Sequence, residues 1–569
     1  MSWLVGHLAP LMLVALIPVL MSGVPVAFGL IACGMTFGVI GIGLGVVPAQ
    51  LVQALHIRLF FGIMSNEVLL AIPFFTFMGL ILQRSGLAED LLETVGQVFG
   101  SVRGGLALAV VVVGALLAAT TGVVAASVIS MGLVSLPIML RHGYDRRLAC
   151  GVIAASGTLT QVVPPSLVLI VIAFQLGRSV GDMYAAALIP AALLIGLYAA
   201  WVTLVALVRP HWAPAVPLEE RGFREADGSS GHRSLALLTI LSIAAAWALL
   251  QVYPALLRAT GRSYSPPTDE VVIVGVISAV LSALVFASLD LIFRLHLLSA
   301  LARRVTFVLI PPLLLIILVL GSTYFGVATP TESGAMGATG AMALAMMRRQ
   351  LTLRLTGQAL LLASKLSCVV MLLMFGATVF SLSFQTLEGN IWLENLLVTL
   401  PGGGVGFLIF VTALVFVLGC FLDFYEIAIV LLPLIAPVAE KLGIDLIWFG
   451  VLVGINLQTS FLTPPFGFAL LFLRSVAPRT AQVDRHTGRT LPPVSTGDIY
   501  LGVLPFIAAQ VLVMALIIAF PNLVTGGMHK TRPAVDEAAV ARSLREMANQ
   551  RPAATPLDPV RTLLESIGR

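Results

Sequence analysis

The 569-residue chain is 59% hydrophobic and 10% charged, with a mean hydropathy of +1.04, an apolar excess that no water-soluble core requires, so most of it must lie in lipid. A formal charge of +5 does not mark a nucleic-acid binder, because the basic residues sit in short loops between apolar runs rather than on a polar, aromatic-rich surface. Cys33, Cys150, Cys368 and Cys420 fall in apolar runs as small hydrophobes, and the eight histidines form no HExxH or paired cluster, so a metal hydrolase has little support.

In chain order, apolar runs near the ~20 residues that cross a bilayer fall at 3–21, 23–47, 67–82, 104–140, 148–175, 184–208, 234–252, 271–293, 305–328, 333–347, 359–387, 404–440, 446–473 and 499–520. They predict an all-α, multi-pass membrane protein. The first run lacks a basic leader and a small-residue cleavage site, and another run follows at once, so 1–21 is expected to stay as a membrane helix.

Lys and Arg collect in cytoplasmic loops. Here they gather at Arg141, Arg146 and Arg147; at Arg209, Arg221, Arg224 and Arg233; at Arg294, Arg303 and Arg304; at Arg348, Arg349 and Arg354; and at Arg474, Arg479, Arg485 and Arg489. The loops between carry less: Arg58, Arg178, Arg258 with Arg262, and a 388–403 segment with Glu388 and Glu394 but no base. Those are expected outside. The alternation closes only if 104–140 and 404–440 each enter and leave on one side, from opposite faces, which predicts two re-entrant hairpins and both termini outside. The 521–569 tail is polar and Pro-containing.

Pro164-Pro165 and Pro464-Pro465 stand 464 − 164 = 300 residues apart, and Pro137 with Pro437, Gly143 with Gly443, Asp145 with Asp445 and Gly104 with Gly404 keep that offset. Gly23-Val24-Pro25 and Gly326-Val327-Ala328-Thr329-Pro330 open the two copies at a slightly larger one. The spacing predicts repeat 1 over 22–208, with hairpin 104–140 and interrupted helix 148–175. A connecting segment over 209–324 adds a cytoplasmic loop and extra membrane helices. Repeat 2 follows over 325–520, with hairpin 404–440 and interrupted helix 446–473, then the tail. Opposite charge bias at the hairpins makes the repeats inverted, and inverted repeats place solute and ion sites where interrupted helices meet near the midplane.

A Pro-Pro inside an apolar span removes two amide donors and frees carbonyls that need another partner. The first break carries Gly157, Thr158, Thr160, Pro164 and Pro165; the second carries Asn456, Thr459, Ser460, Thr463, Pro464 and Pro465. Hydroxyl, amide and carbonyl oxygens of this kind suit Na⁺, and half-helix N-termini suit a carboxylate. A kink satisfied by neighbouring helices is the plainer alternative. The hairpin turns form a second constellation, Thr120, Thr121 and Gly122 in one and Gly419 to Asp423 in the other. Asp423 and Glu426 are ionisable groups at bilayer depth, although Asp423 also suits a helix cap. Thr329, Pro330, Thr331 and Glu332 read as an ordinary helix start, as do Asp145 and Asp445. Neither break carries an Arg or Lys to mark a carboxylate.

Taken together these residues resemble the large membrane subunit of the tripartite ATP-independent periplasmic (TRAP) transporters, the DctM-like family, over about 20–520. The resemblance is carried by Ala71-Ile72-Pro73-Phe74-Phe75, Arg84-Ser85-Gly86, Arg103-Gly104-Gly105, Gly143-Tyr144-Asp145, Pro164-Pro165-Ser166, Thr329-Pro330-Thr331-Glu332, Asp423, Gly443-Ile444-Asp445, Asn456 and Thr463-Pro464-Pro465. It implies an elevator-type secondary transporter in the bacterial cytoplasmic (inner) membrane, coupled to Na⁺ and without a bound cofactor. It also implies a small TRAP membrane subunit, an extracytoplasmic solute-binding protein and a small organic acid as cargo. At the first hairpin the chain departs from the family's Ser-Gly-Ser run and following Asp, carrying Thr120-Thr121-Gly122-Val123-Val124-Ala125-Ala126-Ser127 instead. A stand-alone anion symporter is the main rival. An enzyme finds no nucleophile–base pair, and no GxxxxGK[ST] sequence supplies ATP coupling.

Overall fold

The computed structural model describes residues 6–48, 50–216, 231–259, 268–294, 297–483 and 490–526. The predicted tail beyond 526 and part of the 209–324 loop lie outside the described residues. Among the described residues the chain is helical except for a pair of two-residue strands, Gln482–Val483 against Thr490–Leu491. Nine helices among the described residues are long and apolar enough to cross a membrane, or ten if the pair Gly389–Val398 and Gly403–Leu418, bent by 113°, counts as one span.

Both predicted hairpins form, each broken where its sequence turns from apolar to small or acidic. Hairpin 1 is Gly105–Thr121 and Val124–Arg141, separated by Gly122 in the left-handed region at φ 62°. Hairpin 2 is Gly403–Leu418, then Phe424–Val430 and Leu432–Lys441. Each leads into an interrupted helix. Broken helix 1 runs Arg146–Thr158, a 3-10 turn Leu159–Gln161, the Pro-Pro, and Leu167–Gln175. Broken helix 2 runs Leu446–Leu462, the Pro-Pro, and Phe468–Val476. Both Pro-Pro bonds are cis.

The same side-chain chemistry starts the matching helices. The carboxylate of Asp145 accepts from the amides of Arg147 and Leu148, and that of Asp445 from the amide of Trp448. Ser179 and Ser495 cap Val180–Val208 and Thr496–Ala519. One expected match shifts. The left-handed glycine that starts hairpin 1 is Gly104, but its counterpart is Gly402 rather than Gly404, because a run of three glycines lets the helix begin earlier.

Packing is crossed between the copies. Val26–Gly43 of repeat 1 packs on Leu353–Thr386 of repeat 2, while Ala71–Arg84 packs on Pro330–Met347. Leu167–Gln175 lies on the second arm of hairpin 2, and Phe468–Val476 on the second arm of hairpin 1. Arg146–Thr158 crosses Thr496–Ala519, and Leu446–Leu462 crosses Val180–Val208. Thr158 and Gln458, 300 residues apart, touch each other directly. Residue i meeting j while the equivalent of j meets the equivalent of i is what a two-fold relation produces. With opposite loop charge at the two hairpins, that two-fold inverts the copies.

The two arms are not identical. In repeat 2, Leu353–Thr386 is one 34-residue helix. In repeat 1 the corresponding chain breaks into Leu51–Ile57, a π-helical Arg58–Met64, a 3-10 Glu67–Leu70 and Ala71–Arg84. The extra helices His232–Ala259 and Thr268–Phe293 pack on each other and on Ala300–Tyr324. Asp290 in the second of them is held by the amides of Leu297 and Leu298 and by Arg303 at 2.9 Å.

Helix contact is closest where Arg146–Thr158 crosses Thr496–Ala519. A methyl on Gly151 would lie 2.0 Å from the Gly502 carbonyl oxygen, and one on Gly502 2.1 Å from that of Arg147. Gly151→Val should therefore force the helices apart, at a cost of about 1–3 kcal/mol, and lower the melting temperature in detergent by several degrees. Gly196→Val, with nothing within 4 Å of the new methyl position, should leave it unchanged; intrinsic fluorescence during a thermal ramp reads both.

Candidate functional site

Each Pro-Pro ends one half of a broken helix and starts another, and the starts are bare. Ser166 precedes Leu167–Gln175 in extended backbone but does not cap it; its hydroxyl instead donates back to the Gln161 carbonyl at 2.9 Å. Gly467 precedes Phe468–Val476 and offers no side chain at all. Asp145, Ser179, Ser299, Thr329, Thr352, Asp445 and Ser495 cap helices elsewhere, whereas Val26–Gly43, Gly105–Thr121 and Val124–Arg141 start without a side-chain cap as these two do. The two half-helices at the breaks thus keep their unsatisfied N–H groups and the positive end of their dipoles.

The residues beside the breaks supply the opposite character. Thr158 and Thr160 donate their hydroxyl protons to the carbonyls of Ala155 and Gly157, at 2.8 and 3.0 Å. Thr459, Ser460 and Thr463 donate to Ile455, Leu457 and Thr459, at 2.9, 2.8 and 2.7 Å. A hydroxyl whose proton is spent on its own helix presents only lone pairs outward. Asn456 donates to the Thr412 carbonyl of hairpin 2 at 2.8 Å, and its side-chain oxygen has no protein partner, like the Ser156 hydroxyl and both polar atoms of Gln161. Buried polar atoms without partners are costly. Others, such as those of Thr76, Thr94 and Ser135, lie elsewhere; those beside the breaks are mostly oxygen, the donor set a hard monovalent cation accepts.

The hairpin turns close over this region. A methyl on Gly122 would lie 2.9 Å from the Leu167 side chain, so the turn of hairpin 1 sits against the bare start of the second half-helix. Thr120 is buried, with its hydroxyl donated to Leu117 at 3.0 Å; the side chain of Thr121 lies outside the described residues. In hairpin 2, a methyl on Gly419 would lie 2.1 Å from Ser460 Oγ. Asp423 caps Phe424–Val430 in a capping box: its carboxylate accepts from the Phe424 amide at 2.8 Å, and its own amide donates to Glu426 at 3.0 Å. The cap and a place at the turn are compatible.

The two halves are unequally sealed. Pro164 and Pro165 are buried, whereas Pro465 and Phe466 are exposed, and the Phe466 ring packs, tilted by 38°, at 5.1 Å from that of the equally exposed Phe421 in the hairpin 2 turn. Thr329 to Glu332 lie away from both breaks. Thr329 and Glu332 form a capping box, Thr331 donates to the Glu67 carbonyl at 2.5 Å, and Thr329 and Pro330 line a cavity of about 500 Å³ with Asn66 and Arg178.

At the centre of the crossing the sequence marks only Thr158 as a site residue, and its neighbours there are three others. Gln458 Nε2 donates to Thr158 Oγ1 at 3.4 Å and to the Tyr198 hydroxyl at 3.3 Å, and Gln510 Nε2 donates to the same hydroxyl at 2.8 Å. Tyr198 and Gln510 come from Val180–Val208 and Thr496–Ala519, so three helices meet on one phenol and Gln458 links it to a fourth through Thr158. The available signal was a glutamine deep in an otherwise apolar span.

The family model for the "Tripartite ATP-independent periplasmic transporter, DctM component" matches residues 13–523. The chain belongs to the DctM family. The C4-dicarboxylate TRAP transporter large permease protein DctM of Rhodobacter capsulatus is 26% identical over 89% of this chain and 97% of that protein. The isethionate TRAP transporter permease protein DctMQ of Oleidesulfovibrio alaskensis is 24% identical over 83% of this chain and 63% of that protein. The sialic acid TRAP transporter permease protein SiaT of Haemophilus influenzae is 23% identical over 80% of this chain and 59% of that protein. This DctM chain is a multi-pass inner-membrane transporter permease, not an enzyme.

The fit at hairpin 2 is testable without a solute. Gly419→Ala should lower the melting temperature in detergent, by about 1–3 kcal/mol of overpacking. Adding Ser460→Gly, which removes the atoms it strikes, should restore most of it.

Proposed function

We propose that this DctM chain carries a small organic anion inward, driven by Na⁺, as the large subunit of a tripartite system with a small membrane subunit and an extracytoplasmic solute-binding protein. The observation that carries the proposal is the pairing of opposites at the breaks. Two uncapped half-helix N-termini favour a negative group, and beside them lie hydroxyl and amide oxygens that suit Na⁺. Binding the two together neutralises each in a low-dielectric setting, so each ligand raises the affinity for the other. That mutual dependence is what couples an ion gradient to solute movement.

In this reading Gly157, Thr158, Thr160, Pro164 and Pro165, with Thr120, Thr121 and Gly122, make one ion region. Asn456, Thr459, Ser460, Thr463, Pro464 and Pro465, with Asp423, make the other. The hairpins and broken helices interlock into a unit that travels against the arms Val26–Gly43, Ala71–Arg84, Pro330–Met347 and Leu353–Thr386 in an elevator movement. The unequal sealing of the two halves suits one end of such a cycle. The relatives' named cargoes, a C4-dicarboxylate, isethionate and sialic acid, are all small organic acids, which supports an acid here.

Uptake of a mixed pool of organic acids into proteoliposomes, read by mass spectrometry, tests the proposal. Accumulation of one acid is expected only with an inward Na⁺ gradient, the small subunit and the binding protein together; accumulation without the binding protein would point to a stand-alone symporter instead. Asp423→Asn keeps a side chain that caps as well as Asp but removes the charge. It should leave the melting temperature within ~0.5 kcal/mol of wild type and raise the Na⁺ concentration for half-maximal uptake about tenfold. An unchanged Na⁺ dependence in the well-folded variant removes Asp423 from the ion region.

A further inference from the structure

A cavity of about 260 Å³ opens on the seam between the arms and hairpin 2, away from both breaks. Arg58 and the long helix Leu353–Thr386 form one wall, and Val430 and Pro433 of hairpin 2 form the other. The two walls differ in character. Arg58 Nη1 donates to Gln385 Oε1 at 2.9 Å, and Gln385 Nε2 donates to Ser381 Oγ at 3.1 Å. Thr378, Ser381 and Gln385 are spaced as one face of a helix, and the first two line the cavity. The facing wall is apolar and already satisfied, for Pro433 has no N–H to give the Ile429 carbonyl, and Gln175 Nε2 fills that bond at 2.9 Å.

Arg58, like Arg84 against Gln358, bonds a neutral amide rather than a carboxylate. Arg146, Arg147, Arg178, Arg303, Arg304, Arg348 and Lys441 each face a carboxylate. Among the described residues Arg58 has only the neutral Gln385 amide, which leaves most of its five donors uncommitted. The π-helical turn Arg58–Met64, absent from the equivalent stretch of repeat 2, is what sets Arg58 on this seam. A guanidinium and hydroxyls on one wall with hydrocarbon on the other match a small molecule with an anionic head and a carbon body.

We propose that this cavity is a second anion site, in which Arg58 takes the carboxylate or sulfonate of the solute on the scaffold side before it reaches the breaks. The inference deepens the uptake reading above and rests on it for direction of travel. Arg58 lies in a loop of low positive charge, the end expected to face outward, where a solute arrives. The breaks hold no Arg or Lys, so the long-range attraction that brings an anion to them must be supplied elsewhere, and a cation at the mouth raises the local concentration of anions.

Thiol labelling tests this without any transport. With Cys33, Cys150, Cys368 and Cys420 replaced by Ala in the full chain, Thr378→Cys places one thiol in the cavity. Its rate with the anionic 2-sulfonatoethyl methanethiosulfonate is compared with its rate with the cationic 2-trimethylammonioethyl reagent. With Arg58 present the anionic reagent is expected to be favoured. Arg58→Gln should cut the ratio of the two rates about tenfold, and Arg58→Lys, which keeps the charge, should retain most of it. Methyl methanethiosulfonate, which is neutral, should react at the same rate in all three. A ratio indifferent to Arg58→Gln, or lost as fully in Arg58→Lys, overturns the proposal. Because the readout needs neither Na⁺ nor the binding protein, its failure is separate from a failure of Na⁺-driven uptake.

Discussion

Inside a bilayer no water is at hand to satisfy a peptide group, and an unmet one costs several kcal/mol. Two Pro-Pro breaks at the heart of a lipid-embedded bundle are tolerable only where protein or a water-lined cavity meets them, and protein encloses the first, at Pro164 and Pro165, more fully than the second. That requirement explains the rest of the architecture. The hairpins turn back within the membrane so that their turns reach the breaks. The crossed packing gives each half-helix a neighbour from the other copy. The hydroxyls beside the breaks spend their protons locally, at 2.7–3.0 Å, so that oxygens rather than donors face inward.

Much of this was legible because it is local chemistry. Proline removes a donor wherever it stands, so Pro164-Pro165 and Pro464-Pro465 announce their breaks without tertiary context. Asp145, Asp445, Thr329 and Asp423 read as helix starts because a short acceptor side chain caps the amides just after it, and each does cap its helix. The hairpins followed from charge counting combined with small residues at mid-run.

What stayed hidden depends on distant neighbours. Tyr198 and Gln510 carry no local pattern, and only the crossing of helices brings Gln458 and Gln510 together on the Tyr198 hydroxyl. The 51–66 stretch escaped notice because His56, Arg58, Ser65 and Asn66 depress its hydropathy, yet it folds as helical turns against the seam. The unequal sealing of the breaks was also beyond reach, since near-identical Pro-Pro motifs give no hint that Pro165 is buried and Pro465 exposed.

The crossed packing also bears on how the protein is made. As the chain leaves the ribosome, the first copy is complete by residue 208, but the surfaces that house its half-helix and its first arm belong to Phe424–Lys441 and Leu353–Thr386, more than 140 residues further on. Until those arrive, the first copy has its own internal packing of hairpin 1 on Arg146–Thr158 but lacks the neighbours that cover Leu167–Gln175 and its first arm. Folding of such a chain is a closing step rather than a stepwise one, and the early half is the part most open to capture by membrane proteases or insertion factors in the interval.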